Sequence, residues 1–305
     1  MLNLNCSRSV WSVKGLFRLW CGNFLYKSLL SPLRFSLNMF FVFIVTCPFT
    51  NLHSTEFKPW FGEVLVVETN VTGFFEYYPS IASSHGNRHQ STSDGFLELE
   101  ASIAYDETIA FELEVVAGGY PRNRYGFDSI TLTGRERFLN DIVDDPVSLS
   151  MGLSITQVFD PGLHNLSAPF FYHGGIEGEL DVAVGKEFSC EQFWVSRIWG
   201  VLGVGLADLG SAWIRANIDW EYNWWDNQEV HLFAHSLWGT GGNALNPDDF
   251  HGYGPINHQS VDLGVGYRYY FQRGIALGLD YNYRVFAQNC PRGASLVTLD
   301  FFYAF

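Results

Sequence analysis

Charged residues and cysteines are scarce in this chain. Lys, Arg, Asp and Glu make up 16% of the 305 residues, while aromatic residues make up 17%. Such a composition is poor in charge and rich in aromatics for a soluble protein. The formal net charge of −14 argues against a nucleic-acid partner, because phosphates would be repelled. Only Cys190 and Cys290 lie beyond residue 54, which is too few for a disulfide-held scaffold.

A long apolar run is missing as well. The most apolar stretch, residues 35–47, is too short for a membrane-spanning helix. After residue 54, no segment carries an apolar pattern of helical period over a useful length. The sequence also lacks a phosphate-binding loop, a dinucleotide-binding motif and a zinc ribbon. We therefore expect an all-β protein, and we predict no cofactor and no metal site.

Acidic residues are absent from the first 54 positions, which hold five Lys or Arg residues. Basic residues precede the apolar run, as they do in an export signal. A small residue precedes a suitable cleavage point near Ser54/Thr55. The sequence therefore predicts a leader over 1–54 and a single barrel domain over 55–305. Two alternatives remain, a retained membrane anchor and a lipoprotein site at Cys47.

An alternation of apolar and polar residues recurs from residue 63 to the end of the chain. Alternate side chains of a strand point to opposite faces, so each such segment has one apolar and one polar face. The alternation predicts about twelve strands, with ten to fourteen as the range. The facing of 192–206 stays open because both of its faces are apolar, and Arg135-Glu136-Arg137 interrupts 128–139. The predicted strands are 63–78, 96–105, 108–117, 128–139, 147–158, 175–187, 192–206, 211–224, 229–238, 260–271, 274–286 and 294–305.

Two features favour a membrane barrel over a soluble sandwich. Short and long connections alternate along the chain, as they do between the periplasmic turns and the outer loops of outer-membrane barrels. Tyr and Trp residues gather near the ends of the apolar faces, where a membrane interface would meet the ring and its polar tip. The sequence thus predicts a transmembrane antiparallel up-and-down β-barrel whose apolar faces contact outer-membrane lipid.

The last strand carries a sequence signature of its own. Phe301, Tyr303 and Phe305 alternate up to the chain end. This stretch resembles the C-terminal strand of Gram-negative outer-membrane β-barrel proteins, including the porins. The resemblance implies a location in the cell outer membrane, and it implies that the barrel assembly machinery reads these three residues as a signal.

The polar faces of the predicted strands carry many charges. An acidic wall is expected on the first half of the barrel and a mixed wall on the second. One interpretation is a porin-like channel with an acidic lumen that passes small polar or cationic solutes. The other is a passive structural barrel whose arginines and carboxylates pair and fill the interior. The predicted lumen-lining residues are Glu68, Glu98, Glu100, Glu112, Glu114, Glu177, Glu179, Asp181, Arg197, Arg215, Asp219, Glu221, Asp262, Arg268, Asp280, Arg284 and Asp300.

His258 and Ser260 suggest an alternative function. Outer-membrane phospholipases and lipid A deacylases resemble this stretch in carrying a His-x-Ser pair on a strand, in which the His activates the Ser. Val261 stands where those families continue with Asn, and the alternation turns both side chains inward, away from lipid. We therefore expect no enzymatic activity and keep a lipid hydrolase as the second hypothesis.

Two other pairs of residues bear on metal binding and on disulfide formation. His231 and His235 lie four apart on one strand, a spacing of roughly 13 Å, which predicts that one metal ion cannot bind both. Cys190 is expected in a periplasmic turn and Cys290 in an outer loop. At opposite ends of a barrel they could not form a disulfide within one molecule, since bonded Cα atoms lie within about 7 Å.

Overall fold

The computed structural model describes residues 57–83, 92–119, 126–190, 193–225, 227–272 and 274–305. Within these ranges, twelve strands pair in antiparallel order into a closed barrel, and two short strands form a separate ribbon. The predicted fold and strand count are therefore confirmed. The leader and its cleavage point lie outside the described residues.

The strand bounds follow the predicted segments closely. The segment 128–139 is a strand despite its three charges, because Arg135 and Arg137 turn inward while Glu136 stays on the exposed face. Successive side chains of this segment thus point to opposite faces, although its residues do not alternate between apolar and polar. The strands are β1 Val67–Tyr78, β2 Ser80–Ala82, β3 Thr92–Ala104, β4 Ile109–Gly119, β5 Gly126–Leu139, β6 Ser148–Val158, β7 Ile176–Cys190, β8 Phe193–Ala207, β9 Trp213–Trp224, β10 Gln228–Gly239, β11 Gln259–Gln272, β12 Ile275–Gln288, β13 Cys290–Arg292 and β14 Ser295–Ala304.

The barrel closes between the first and last of its long strands. β1 pairs with β14 from Glu68 opposite Ala304 to Tyr77 opposite Ser295, and β1 also pairs with β3. Both termini of the barrel therefore lie at one end, which is the periplasmic end in barrels of this kind. The connections at that end are mostly short, and the longest connections, 159–175 and 240–258, lie at the other end.

Helical structure in the described ranges is brief. A 3₁₀ turn covers Asp141–Val143, and a single helical turn, α1, covers Asp160–Leu163. No helix among the described residues is long and apolar enough to cross a membrane.

The outer surface of the barrel is apolar. On β12, Leu277, Leu279, Tyr281 and Tyr283 are all at least 40% exposed, while Gly278 between them is buried. A band of this kind around a monomer would be costly in water but is favourable against lipid chains. The predicted alternation of apolar outward and polar inward residues is confirmed on this strand.

The structure resolves the facing of β8, which the sequence left open. Arg197, Trp199 and Val201 point inward, while Ile198 and Leu202 are exposed. Packing decides which residues of β8 point inward. Farther along the strand, side chains of the two neighbouring strands contact each other over β8, so the inward residues there must be small.

Gly203 of β8 is one such position. It lies between Asp181 of β7 and Arg215 of β9 in the same row of the barrel. A Cβ atom at Gly203 would collide with the carboxylates of Asp181 and Glu179. The glycine therefore lets side chains that are two strands apart make contact.

Loops cover the outer end of the barrel. The β2–β13 ribbon pairs Cys290 with Ala82. Its residues join a buried cluster with Leu245, Tyr253 and Ile256 from the loop 240–258. Cys190 ends β7 at the opposite, periplasmic end, and no disulfide joins Cys190 to Cys290. Cys190 is thus the last strand residue rather than part of the turn, but the predicted separation of the two cysteines holds.

Candidate functional site

A cavity of about 450 Å³ lies in the middle of the lumen. Its wall is formed by inward residues of the barrel strands together with residues of one outer loop and of the chain before β1. The carboxylates and the arginine that line it are Glu98, Glu112, Glu114, Glu177, Glu179, Asp181, Arg215, Asp219, Asp262 and Asp280.

The loop between β6 and β7 forms the outer boundary of the cavity. The backbone amide of Ala168 donates a hydrogen bond of 2.6 Å to Glu76 on β1, and the Ala168 carbonyl accepts one of 2.8 Å from Arg284 on β12. Tyr172 is 3.0 Å from the Ser129 hydroxyl on β5. The loop is thus attached to widely separated strands, which holds it across the lumen.

Residues Phe57–Phe61 form the inner boundary. They precede β1 and turn back into the lumen at the periplasmic end. The Trp60 indole donates a hydrogen bond of 2.9 Å to Asp141, and its ring meets Trp199 edge-on with centroids 5.9 Å apart. Arg197 lies 5.2 Å from the Trp60 ring centroid. Trp60 is only 7% exposed, so the segment is anchored by a buried ring.

Asp141, which accepts the Trp60 hydrogen bond, belongs to a periplasmic turn. Burial raises its pKa, but hydrogen bonds from Ser148, the Glu187 amide and Trp60, together with the charge of Lys186, hold the pKa below its usual range. The carboxylate is therefore charged near neutral pH and remains an acceptor for the inner segment.

Lys58 inserts an ammonium group into the lumen. It forms an ion pair with Glu221, whose side chain is almost fully buried. The same Nζ lies 5.1 Å from the ring centroid of Trp199, and the Lys58 carbonyl accepts a hydrogen bond from Arg135. A carboxylate and an aromatic face therefore hold this cation together.

Several arginines of the wall pair with carboxylates. Arg215 contacts Glu179 and lies 3.2 Å from Asp181. Arg284 makes two hydrogen bonds with Asp262, at 2.7 and 2.8 Å. These pairs follow the barrel wall between nearby strands, so a central cavity remains beside them.

Glu98 and Glu114 differ from these paired groups. Glu98 is only 6% exposed, and both carboxylates line the cavity. Neither has a hydrogen bond or an ion pair with any of the described residues, whereas neighbouring Glu112 pairs with Arg135. Buried carboxylates are normally compensated by a cation or a proton, and no described residue supplies either of these two with an ion pair.

The other predicted lumen residues lie above, below or behind the cavity. Glu68 lies at the periplasmic end of β1, and Arg197 pairs with Glu187 at 2.7 Å. Arg268 lies 3.4 Å from Glu229 and 3.6 Å from Asp300. All of these face the interior, but the lining of the cavity does not include Glu68, Glu100, Arg197, Glu221, Arg268, Arg284 or Asp300.

His231 and His235 come closer than their spacing along the strand indicates. The Nε2 atoms of both approach the same oxygen of Asp219, at 3.2 and 2.9 Å. The spacing of roughly 13 Å applies to the backbone, whereas the two side chains lean toward each other. Even so, no group of three or more His, Cys, Asp or Glu among the described residues could hold a metal ion.

The structure separates His258 from Ser260. Both nitrogens of the buried His258 ring are engaged, Nδ1 with the Ile256 carbonyl at 3.1 Å and Nε2 with His173 at 3.3 Å. Burial and the neighbouring His173 lower the pKa of His258 to about 3. Since neither nitrogen is directed at the Ser260 hydroxyl, the lipid hydrolase hypothesis loses its support.

Sequence reasoning missed the two segments that bound the cavity. The alternation that identified the strands carries no information on Phe57–Phe61 or on residues 168–173, because both lie outside the strands. Each segment contains a feature of the sequence that could have identified it. Trp60, Phe170 and Tyr172 are large aromatics outside the strands, and a loop that is free in water has little reason to carry them.

The last strand ends as the sequence suggested. Phe301 and Phe305 are exposed on the outer face, and the Tyr303 and Phe305 rings lie 6.0 Å apart. Their role in assembly stays a prediction.

Comparison with known proteins gives a fold but no sequence family. No family model matches the sequence, and no curated protein matches it either. Among solved structures, an outer membrane channel from Pseudomonas putida F1 superposes with a TM-score of 0.57 at 12% identity, covering 83% of this chain and 100% of that one. The NanC porin superposes with a TM-score of 0.50 at 8% identity, covering 77% and 98%.

The fold is that of an outer-membrane β-barrel. The closed twelve-strand ring, the apolar outer face and these two likenesses agree on this point. Both the fold and the outer surface are those of a protein embedded in an outer membrane.

Proposed function

We propose that the protein is a porin-like passive channel for small polar solutes and that it prefers cations. The observation that carries this proposal is the charge of the cavity wall. Nine carboxylates line the cavity, and a single arginine does. Arg135 and Arg284 do not line the cavity, but each forms an ion pair with a carboxylate that does. Counting these two positive charges as well, the net charge of the wall is still negative. A negative lumen concentrates cations and repels anions.

The fold supports this proposal without deciding it. The two structures with similar folds are described as an outer membrane channel and a porin. A filled barrel of purely structural use would have no need of unpaired carboxylates beside a cavity, because buried charge is costly. Lipid is the proposed partner of the outer face, and the barrel assembly machinery is the proposed reader of the last strand.

The two boundaries of the cavity have different attachments. The outer loop is hydrogen-bonded to β1, β5 and β12. The inner segment Phe57–Phe61 precedes the barrel pairing, which begins at Val67. We therefore propose that a solute passes the periplasmic end when this segment moves, because its release breaks no pairing between barrel strands.

Planar-bilayer recording tests the channel. The purified barrel, placed between unequal KCl concentrations, should conduct with a reversal potential of the sign set by K⁺. A variant with Trp60→Ala serves as the opened form. An anion-selective current would contradict the proposed preference, and the absence of current from both folded proteins would contradict the channel itself.

A further inference from the structure

Glu98 on β3 and Glu114 on β4 occupy the same wall of the cavity. Glu98 lies opposite Val116 in the strand pairing, so Glu114 is its diagonal neighbour on the inner face. Diagonal neighbours on adjacent strands are about 7–8 Å apart at Cα. Two carboxylates at this spacing repel each other, and a cation between them would relieve both.

Aromatic rings of the outer loop face the same cavity. The Phe170 and Tyr172 rings are nearly parallel, with centroids 6.0 Å apart and an angle of 7° between their planes. Phe170 is held edge-on by Phe74 at 5.4 Å and by Phe96 at 5.3 Å. The position of this ring is therefore set by packing on the barrel wall.

The aromatic rings and the carboxylates are within electrostatic reach of each other. Burial raises the pKa of Tyr172 against the hydrogen bond with Ser129, and the negative charges of Asp128, Glu114 and Glu177 raise it further. A molecule placed beside Glu114 would thus also lie near an aromatic surface.

The lumen already holds one ammonium group between a carboxylate and an aromatic ring. The Lys58 ammonium lies between the Glu221 carboxylate and the face of Trp199. This pairing of a carboxylate with an aromatic ring is how proteins hold organic cations. Glu98 and Glu114 offer carboxylates beside an aromatic surface, and neither forms an ion pair with a described residue. The charge of Arg215 acts on Glu114 without a salt bridge.

We propose that the cavity binds a small organic amine, with its ammonium group at Glu98 and Glu114 and its apolar body against Phe170 and Tyr172. This inference rests on the proposed channel function and names a solute class for it. The cavity, at about 450 Å³, is of the size that holds small ligands. A metal ion suits the site less well, because no cluster of three or more ligating residues among those described could hold one.

Calorimetric titration of the purified full barrel in detergent tests the site. The probe is 2-phenylethylammonium chloride, and 2-phenylethanol replaces the ammonium with a hydroxyl on the same body. We expect saturable binding of the amine at neutral pH, at least about tenfold tighter than binding of the alcohol, since a charge-assisted contact is lost. Calcium chloride is titrated in parallel.

Three variants locate the site. The double variant Glu98→Gln/Glu114→Gln should weaken amine binding at least about tenfold. Its matched control, Glu107→Gln/Glu136→Gln, removes the same charge from exposed positions and should change affinity less than about twofold. Phe170→Leu removes an aromatic ring of the outer loop that packs on Phe74 and Phe96, and it should weaken binding about threefold or more. Heat-modifiable migration on a gel shows that each variant is folded.

Several results would overturn the inference. They are no saturable binding of the amine, equal binding of the alcohol, and unchanged affinity in the folded double variant. Tighter calcium binding that depends on Glu98 and Glu114 would make the site a metal site instead. Bilayer recording separates this inference from the channel proposal. Cation-selective current without amine binding refutes the site alone, and amine binding in a barrel that carries no current refutes the channel alone.

Discussion

Trp60 provides the most direct test of how the lumen is closed. Its ring is 7% exposed, and its indole nitrogen donates a 2.9 Å hydrogen bond to Asp141. Replacing a buried Trp by Ala typically costs about 3–5 kcal/mol. Because the barrel pairing starts at Val67, this cost falls on the attachment of Phe57–Phe61 rather than on the barrel.

The expected effect of Trp60→Ala follows from that energy. A loss of about 3–5 kcal/mol raises the ratio of released to attached segment roughly a hundredfold to a few thousandfold, since each 1.4 kcal/mol is a factor of ten. Single-channel recordings in a planar bilayer should show a larger fraction of time in the higher conductance level. Heat-modifiable migration should be unchanged.

Two controls separate ring packing from other effects. Trp60→Phe keeps one aromatic ring but loses the N–H donor and the second ring of the indole, so we expect a change smaller than that of Trp60→Ala. Trp225→Ala removes a ring that is 75% exposed and should leave the lumen unaffected. If Trp60→Ala conducts like the parent in a folded barrel, the segment does not close the lumen and our reading of the periplasmic end is wrong.

Three further predictions concern the ends of the barrel. Deleting Phe305 should reduce the heat-modifiable protein in outer-membrane fractions, whereas Phe305→Trp should assemble normally; normal assembly of the deletion would refute the signal. A maleimide should label the partly exposed Cys190 and spare the buried Cys290, whose thiol pKa is raised to about 11 by burial. On non-reducing gels, the monomer should migrate as the Cys190→Ser and Cys290→Ser variants do, and a difference would indicate a disulfide between the two cysteines. The folded loop holds His258 in its neutral form, so the loop should be fully stable above about pH 6.5. This stability should be lost as the pH falls toward about 3, because protonation of His258 then favours the open loop. Hydrogen exchange of residues 240–258 measures this, His258→Phe should remove the pH dependence, and an unchanged dependence in that variant would contradict the assignment.

The facing of the side chains was predictable on most strands because it depends on the local alternation of apolar and polar residues. β12 shows this, since Leu277 and Leu279 face lipid while Asp280 faces the cavity, as their order in the sequence indicated. β8 could not be assigned, because its residues are apolar on both faces and a period of two carries no information there.

Contacts between charged residues along the lumen wall were not predictable. Arg215 meets Glu179 and Asp181 over the glycine of the intervening strand, Gly203. This contact depends on the register of three strands, and register is set by the whole sheet and its turns. The sequence identified the charges of the wall but could not say which of them pair.

Local period and composition were sufficient to predict the class of this protein, a charge-poor chain of alternating strands that closes into a barrel with apolar residues outside. The reason is that lipid and lumen impose opposite demands on successive residues. The arrangement of the interior depends instead on the three-dimensional fold. Phe57–Phe61 and residues 168–173 enter the lumen through contacts with residues far away in the chain, such as Trp60 with Asp141 and Ala168 with Glu76. Contacts of this kind join residues that only the closed barrel brings together, so the local pattern of the sequence does not predict them.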